Sequence, residues 1–265
     1  MITEEDVQHY IERIPPSPAI LKQTLSFVNE GELTKAASEA EGDMALQAYL
    51  KKLVNRPIYG FRTEVSDIHQ IFGILGINGA QQVLYNYMLS LLSPSKWELF
   101  HLDAVSFQDL QAHLSRKWHK ILTHLSIDNK DIESAITLLP ASIIICEALF
   151  KSKQDEVNLL RTTSSLDYNT ILKRLSGKDL FEICETIALT WEMPPVVINI
   201  IHSASGLHPD EDPAIDSLGQ WMHLLLFYEL SNSTSIEAGL NDFIDFQVEY
   251  VADIYEPFMA LMEIE

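Results

Sequence analysis

The chain has 265 residues, of which 47% are hydrophobic, so it is long enough for one large domain or two small lobes and too apolar to be disordered. Its formal charge of −20 is unevenly placed: residues 1–178 hold all 18 Lys and Arg against 21 acids, whereas residues 179–265 hold 17 acids and no Lys or Arg. Such a surface repels phosphate backbones over a Debye length of about 8 Å, which excludes nucleic acid as a natural partner of that end. The acidity either keeps the protein soluble or offers a face to a basic protein partner. Cys146 and Cys184 both fall in apolar helical patterns, where a thiol behaves as a small hydrophobe, and imply neither a disulfide framework nor a metal site. The apolar run Leu138–Ile145 is far shorter than the roughly 20 residues needed to cross a bilayer. The N-terminus Met1-Ile2-Thr3-Glu4-Glu5-Asp6 is acidic where a secretory leader is basic, so a cytoplasmic protein with no membrane partner is expected.

Helical periodicity dominates and predicts an all-α fold of about 12–14 helices. Thr3 caps a first helix that ends before Pro15. Pro15 and Pro16 cannot sit inside a helix, whereas Ser17 can cap one and Pro18 fits its first position, so a second helix runs from Ser17 to about Glu30, with Gly31 as its stop. Thr34–Glu41 is a short helix. Asp43 caps the next, with Leu46, Leu50, Leu53 and Val54 at helical spacing. Ser66 caps a segment carrying Ile68, Ile71, Phe72 and Leu75, and Asn78 starts one through Leu84, Tyr87 and Leu91. These elements form an N-terminal lobe, residues 1–93.

Pro94 to Val105 reads as a boundary. Beyond it Ser106 caps a long helix through Leu110, Leu114, Trp118, Ile121 and Leu125, followed by a helix from about Lys130 containing Pro140, and by an Asp167-capped helix closing at Gly177. Asp179–Trp191, Pro194–Ser203 and the apolar Pro213–Leu230 are further helices, with Ser205–Asp212 as a loop; together they make a C-terminal lobe, residues 106–232. Residues 233–265 are expected to hold a final acidic helix, Ile236–Met262, interrupted at Pro257. There is no internal repeat.

Taken in order, Ile14-Pro15-Pro16-Ser17-Pro18-Ala19-Ile20-Leu21, the Asp43-led helix ending in Leu53-Val54-Asn55, the turn Asn55-Arg56-Pro57-Ile58-Tyr59-Gly60 and the Val65-Ser66 start running to Ile74-Leu75-Gly76 resemble the HDOD (HD-related output domain) family. Its members are bacterial, all-helical signalling modules. The resemblance implies a two-lobed helical domain with no cofactor, which binds a protein partner in a signalling pathway or a small nucleotide ligand and relays a regulatory state.

The catalytic HD relatives of that family hold metal with an early His, an adjacent His-Asp pair and a later Asp. Imidazole and carboxylate fix divalent ions, and the metal lowers the pKa of a water that attacks a phosphoester. Here the helix Ala135-Ile136-Thr137-Leu138-Leu139-Pro140-Ala141-Ser142 resembles the apolar frame of the His-Asp helix, but Pro140 and Ala141 occupy the ligand positions. The late Asp falls on Gln220. Trp118-His119-Lys120 resembles the Trp-x-His of the family with the His one place early. No His-Glu-x-x-His, Cys-x-x-Cys, Walker loop or Gly-x-Ser-x-Gly elbow is present, so no catalytic residue and no metal ligand is assigned. The competing expectation is a phosphohydrolase acting on nucleotides or cyclic dinucleotides through an atypical metal site.

His202, after Trp191 and Pro194, resembles the first of a His pair in the family, with Ser203 in place of the second. Trp118, His119, His202 and Trp221 are therefore candidates to line a ligand cavity; His202 alternatively is a helix-end histidine interacting with the dipole. His223 reads as a hydrogen-bonded core residue in preference to a ligand. Asn55, Tyr59 and Arg62 share a loop and are candidates for partner recognition, the alternative being that Asn55 caps its helix and Tyr59 anchors the turn.

Overall fold

A computed structural model of the chain describes residues 4–12, 19–55, 61, 63–94, 96–191, 193–243 and 245–263. The Pro15–Pro18 motif, Tyr59 and Arg62 lie outside the described residues. Among those described the fold is all-α, with no strand. It divides into two compact units, Arg13–Leu92 on one hand and Met1–Glu12 with Ser93–Glu265 on the other.

In the smaller unit, α2 (Ala19–Asn29), α3 (Leu33–Ala40) and α4 (Met44–Val54) pack around α5 (Ile68–Leu92). Gly31, at φ 81°, stops α2 as the sequence predicts. The buried face of α3 is Ala36, Ala37 and Ala40, small side chains that let α2 and α5 approach closely. Asp43 caps α4 by accepting from the amides of Ala45 and Leu46 at 2.8 and 3.1 Å. The two helices expected over residues 66–91 form one element bent at Gly76, whose φ of 64° with ψ of −174° is open to glycine almost alone. The amide of Gln70 bonds to the Asp67 carboxylate at 2.7 Å, so Asp67 and not Ser66 caps this helix.

Asn55 joins the ends of the segment between α4 and α5. Its Nδ2 donates to the carbonyls of Lys51 and Val65, and its Oδ1 accepts from the Val65 amide, each at 2.8 Å. Both sides of its amide are thereby used within the fold.

In the larger unit, α1 (Glu4–Glu12) buries Val7 and Ile11 and packs on α8 (Leu138–Ser152) and α11 (Leu180–Thr190). The contacts place α1 with the later helices, whereas the order of elements in the sequence groups it with residues 13–93. Asp103 caps α6 (Ala104–His124) in a capping box with Ser106, which therefore lies at the third position of the helix and not at its cap. The helix expected from Lys130 is interrupted: α7 (Lys130–Ser134) and a 3-10 turn (Ala135–Thr137) precede α8. Pro140 is the third residue of α8, in the first turn, where an absent N–H breaks no helical bond.

The stretch Asp131–Ser152 is long and apolar enough, by length and composition, to cross a bilayer, but 89% of its apolar 18-residue window is buried inside the protein. It is a buried run of α7, the 3-10 turn and α8, longer than the eight-residue apolar run suggests. Its buried charge, Glu147, accepts from the amides of Glu98, Leu99 and Phe100 at 2.6, 3.2 and 3.1 Å.

After α8 come α9 (Gln154–Ser164), α10 (Tyr168–Ser176), α11, α12 (Pro195–Ala204) and α13 (Pro213–Leu230). Only α9 was missed in the sequence, because Val157 is its one buried residue and leaves little periodicity. The single acidic helix expected over 236–262 is instead α14 (Ser233–Ala238), α15 (Val248–Val251) and α16 (Tyr255–Glu263), with 3-10 turns between them. Gly239, at φ 81°, ends α14, and Phe243 then turns inward onto Phe100, Phe150 and Tyr168, at ring distances of 5.4–6.2 Å. Residues 233–265 belong to the same unit as the helices before them.

Two consequences are measurable by denaturant unfolding. Asn55→Asp places a carboxylate against two carbonyls and should lower stability by about 1–3 kcal/mol. Glu147→Ala strips the acceptor from three amides and should cost about 3 kcal/mol or more, whereas Glu237→Ala on the exposed face of α14 should stay within about 0.5 kcal/mol.

Candidate functional site

The positions singled out by the sequence sit on α6, α8, α12 and α13. Pro140 and Ala141 are buried in α8 and offer no donor atom. Gln220 Nε2 donates to the carbonyl of Tyr250 at 2.8 Å, so its side chain is engaged in holding α15 to α13. Among the described residues no three His, Cys, Asp or Glu side chains converge on a point where a metal ion would sit.

The four residues proposed for a cavity do not meet in one. Trp118 is fully buried, its Nε1 donating to the Ile132 carbonyl at 2.9 Å, which ties α6 to α7. Trp221 is buried against His124 and Phe258. His119 is exposed and pairs through Nδ1 with Glu133 at 2.8 Å, beside Lys120, Thr123 and Leu261. His202, in the last turn of α12, lies 3.6 Å from Glu185 and stacks on His208, in a separate small cleft with Lys173 and Asp179. Two of the four are therefore core residues, and the other two lie in different surface depressions.

What holds α12 to α13 is a closed polar cluster. Ser203 Oγ lies 2.8 Å from both Asp216 Oδ1 and the Tyr250 hydroxyl, and that hydroxyl is 3.1 Å from the same carboxylate oxygen. Burial foremost, opposed by the bond to Ser203 and reinforced by the charge of Asp216, pushes the Tyr250 pKa well up, so it serves as a neutral donor. Gly219 makes the cluster possible, since a Cβ there would stand 2.6 Å from Ser203 Oγ and 2.8 Å from the Tyr250 hydroxyl. Sequence reasoning missed Asp216, Gly219 and Tyr250. The signal available was a glycine inside a strongly helical pattern, which costs helix stability unless something must come close.

His223 is buried, as expected of a core histidine. Its Nδ1 faces the Ala204 carbonyl at 2.8 Å, and its Nε2 accepts from the Gln247 amide at 3.1 Å, which assigns the proton to Nδ1. Burial foremost, against the bond to Ala204, lowers its pKa. Both cysteines are buried, and desolvation pushes the Cys184 thiol up to about 12 and raises that of Cys146. Neither thiol is a nucleophile at neutral pH.

The Gly219→Ala variant should lose about 1–3 kcal/mol in denaturant unfolding, the cost of overpacking a close helix crossing. Unfolded His223 titrates near 6.5, above its folded pKa, so the unfolded state takes up the extra proton first and stability falls as pH drops below about 6.5. Thermal midpoints at pH 7.5 and 5.5 should therefore differ more for the native chain than for His223→Gln.

One solved structure shares this all-α fold. A crystal structure described as an HDOD domain protein of unknown function from Geobacter sulfurreducens superposes with a TM-score of 0.60 at 15% identity, covering 98% of this chain and 99% of the other. A virulence factor from Campylobacter jejuni subsp. jejuni aligns at 18% identity over 97% and 99% of the two chains, with a TM-score of 0.43. No curated protein matches the chain. The family model for the HDOD domain matches residues 14–206, most of the sequence, and the chain belongs to the HDOD domain family.

Proposed function

We propose that this protein is a non-catalytic signal-transduction module of the cytoplasm, which binds a protein partner or a small ligand and passes on a regulatory state. The observation that carries this reading is the chemistry at the positions where a hydrolase of the HD type would hold metal: Pro140 and Ala141 have no donor atom, and the Gln220 amide is bonded to Tyr250. The acids of the last third support a basic partner. Glu249, Asp253 and Glu256 are exposed on α15, the turn after it and α16, while Phe243, Val251 and Phe258 of the same stretch are buried, so charge faces solvent along a segment fixed to the core.

Purified protein supplied with Mn2+ should not hydrolyse bis(p-nitrophenyl) phosphate and should carry less than one equivalent of transition metal by elemental analysis. Stoichiometric metal with turnover would replace this reading by the phosphohydrolase one. For the partner, the triple variant Glu249→Lys, Asp253→Lys, Glu256→Lys alters exposed side chains alone. It should retain the native helical content and lose the salt-sensitive partners co-purified by the native chain; an unchanged set of partners would remove this surface from the account.

A further inference from the structure

A cavity of about 630 Å³ opens beside α6, the end of α13, α14 and α16, within the range of small-molecule sites. Much of its wall is apolar, including Leu110, Leu224, Phe227 and Phe258. At its side stands Glu229, the penultimate residue of α13, whose side chain is only 1% exposed. One oxygen, Oε1, is paired with Lys117, whose ammonium also sits 4.5 Å from the centre of the Tyr228 ring. The other, Oε2, has no hydrogen-bond partner among the described residues. His113 Nδ1 is 3.9 Å from it, beyond hydrogen-bond reach.

A buried carboxylate oxygen without a donor is unfavourable, and such groups mark places where something else binds. The surroundings define what fits. The acids of the wall are Asp109 and Glu229 and its basic groups are Lys117 and the imidazole of His113, and the negative end of the α13 dipole adds to the acids. The net field of the chain has the same sign. We infer that this cavity binds a small organic cation, an amine or amidine on an aromatic or aliphatic body, held by the charge of the Glu229 carboxylate in its wall while its body lies on the apolar side chains. The assignment rests on the ligand-binding branch of the function proposed above and gives it a site and a ligand class. Neither Trp118, His119, His202 nor Trp221 lines this cavity.

The test uses the full chain with benzamidine and phenethylamine as probes, and with benzamide and 2-phenylethanol as their uncharged counterparts, titrated at 0.15 M salt by ligand-observed NMR. At least one cation should bind saturably and at least tenfold more tightly than its uncharged counterpart. Glu229→Gln, which keeps size and hydrogen-bonding capacity but removes the charge, should erase that preference. Should Glu229→Gln fail to fold by circular dichroism, Thr234→Trp decides, because Thr234 is an exposed lining residue and the indole would fill the cavity and abolish binding. Absence of saturable binding by both cations, equal binding of the uncharged pair, or binding indifferent to the folded variants would overturn the assignment. Such a result would leave the partner-binding reading to the charge-reversal experiment, which concerns different residues.

Discussion

A helix buried on all sides must meet two conditions at once: its side chains must be apolar, and any charge it carries must be fully bonded. Helix α8 meets both. From Leu138 to Phe150 every residue except Ala148 is buried, and its one acid, Glu147, is surrounded by three backbone amides that would otherwise need partners of their own. The carboxylate thereby orders residues 98–100, and Phe100 enters the ring cluster with Phe150, Tyr168 and Phe243. Through that cluster the acidic last third of the chain is attached to the centre of its unit. Loss of the Glu147 contact would expose unpaired amides and loosen the cluster together.

The same helix offers no metal-ligating side chain at Pro140 and Ala141. A proline in its first turn breaks no bond of the helix, and alanine suits a tightly packed interior, so both positions serve packing. On the opposing helices the polar atoms have likewise been absorbed into structure. Gln220 holds a carbonyl, Ser203 and Tyr250 share one carboxylate oxygen, and Gly219 brings two helices within the reach those bonds need. The polarity left near this region joins helices to one another.

Charge and cavity are organised separately from that core. Acids lie on the exposed faces of α14 to α16, consistent with solvation, whereas Glu229 is the acid drawn inside at the end of α13, half neutralised by Lys117. Glu147 is bonded by backbone amides, whereas Glu229 pairs with an ammonium group at one oxygen and has no donor at the other among the described residues. The contrast between a satisfied and an unsatisfied buried acid separates a structural role from a binding one.

Local features were legible in the sequence because local physics sets them. The Asp43 and Asp167 caps, the glycine stops at Gly31 and Gly177 and the course of α10 to α13 all follow from side chains acting on their own backbone within a few residues. The family resemblance rested on such features too, as did the absence of ligands at Pro140 and Ala141. Tertiary structure decided the rest, since it depends on residues far apart in sequence meeting through packing. It moved α1 onto α8 and α11, broke the expected terminal helix so that Phe243 reached the aromatic cluster, and withdrew Trp118 and Trp221 into the core. It also left Glu229 Oε2 beside a cavity. Periodicity shows which face of a helix is apolar, but which partner covers that face, and which polar atom remains unpaired when it does, is settled only once all the helices compete for the same interior.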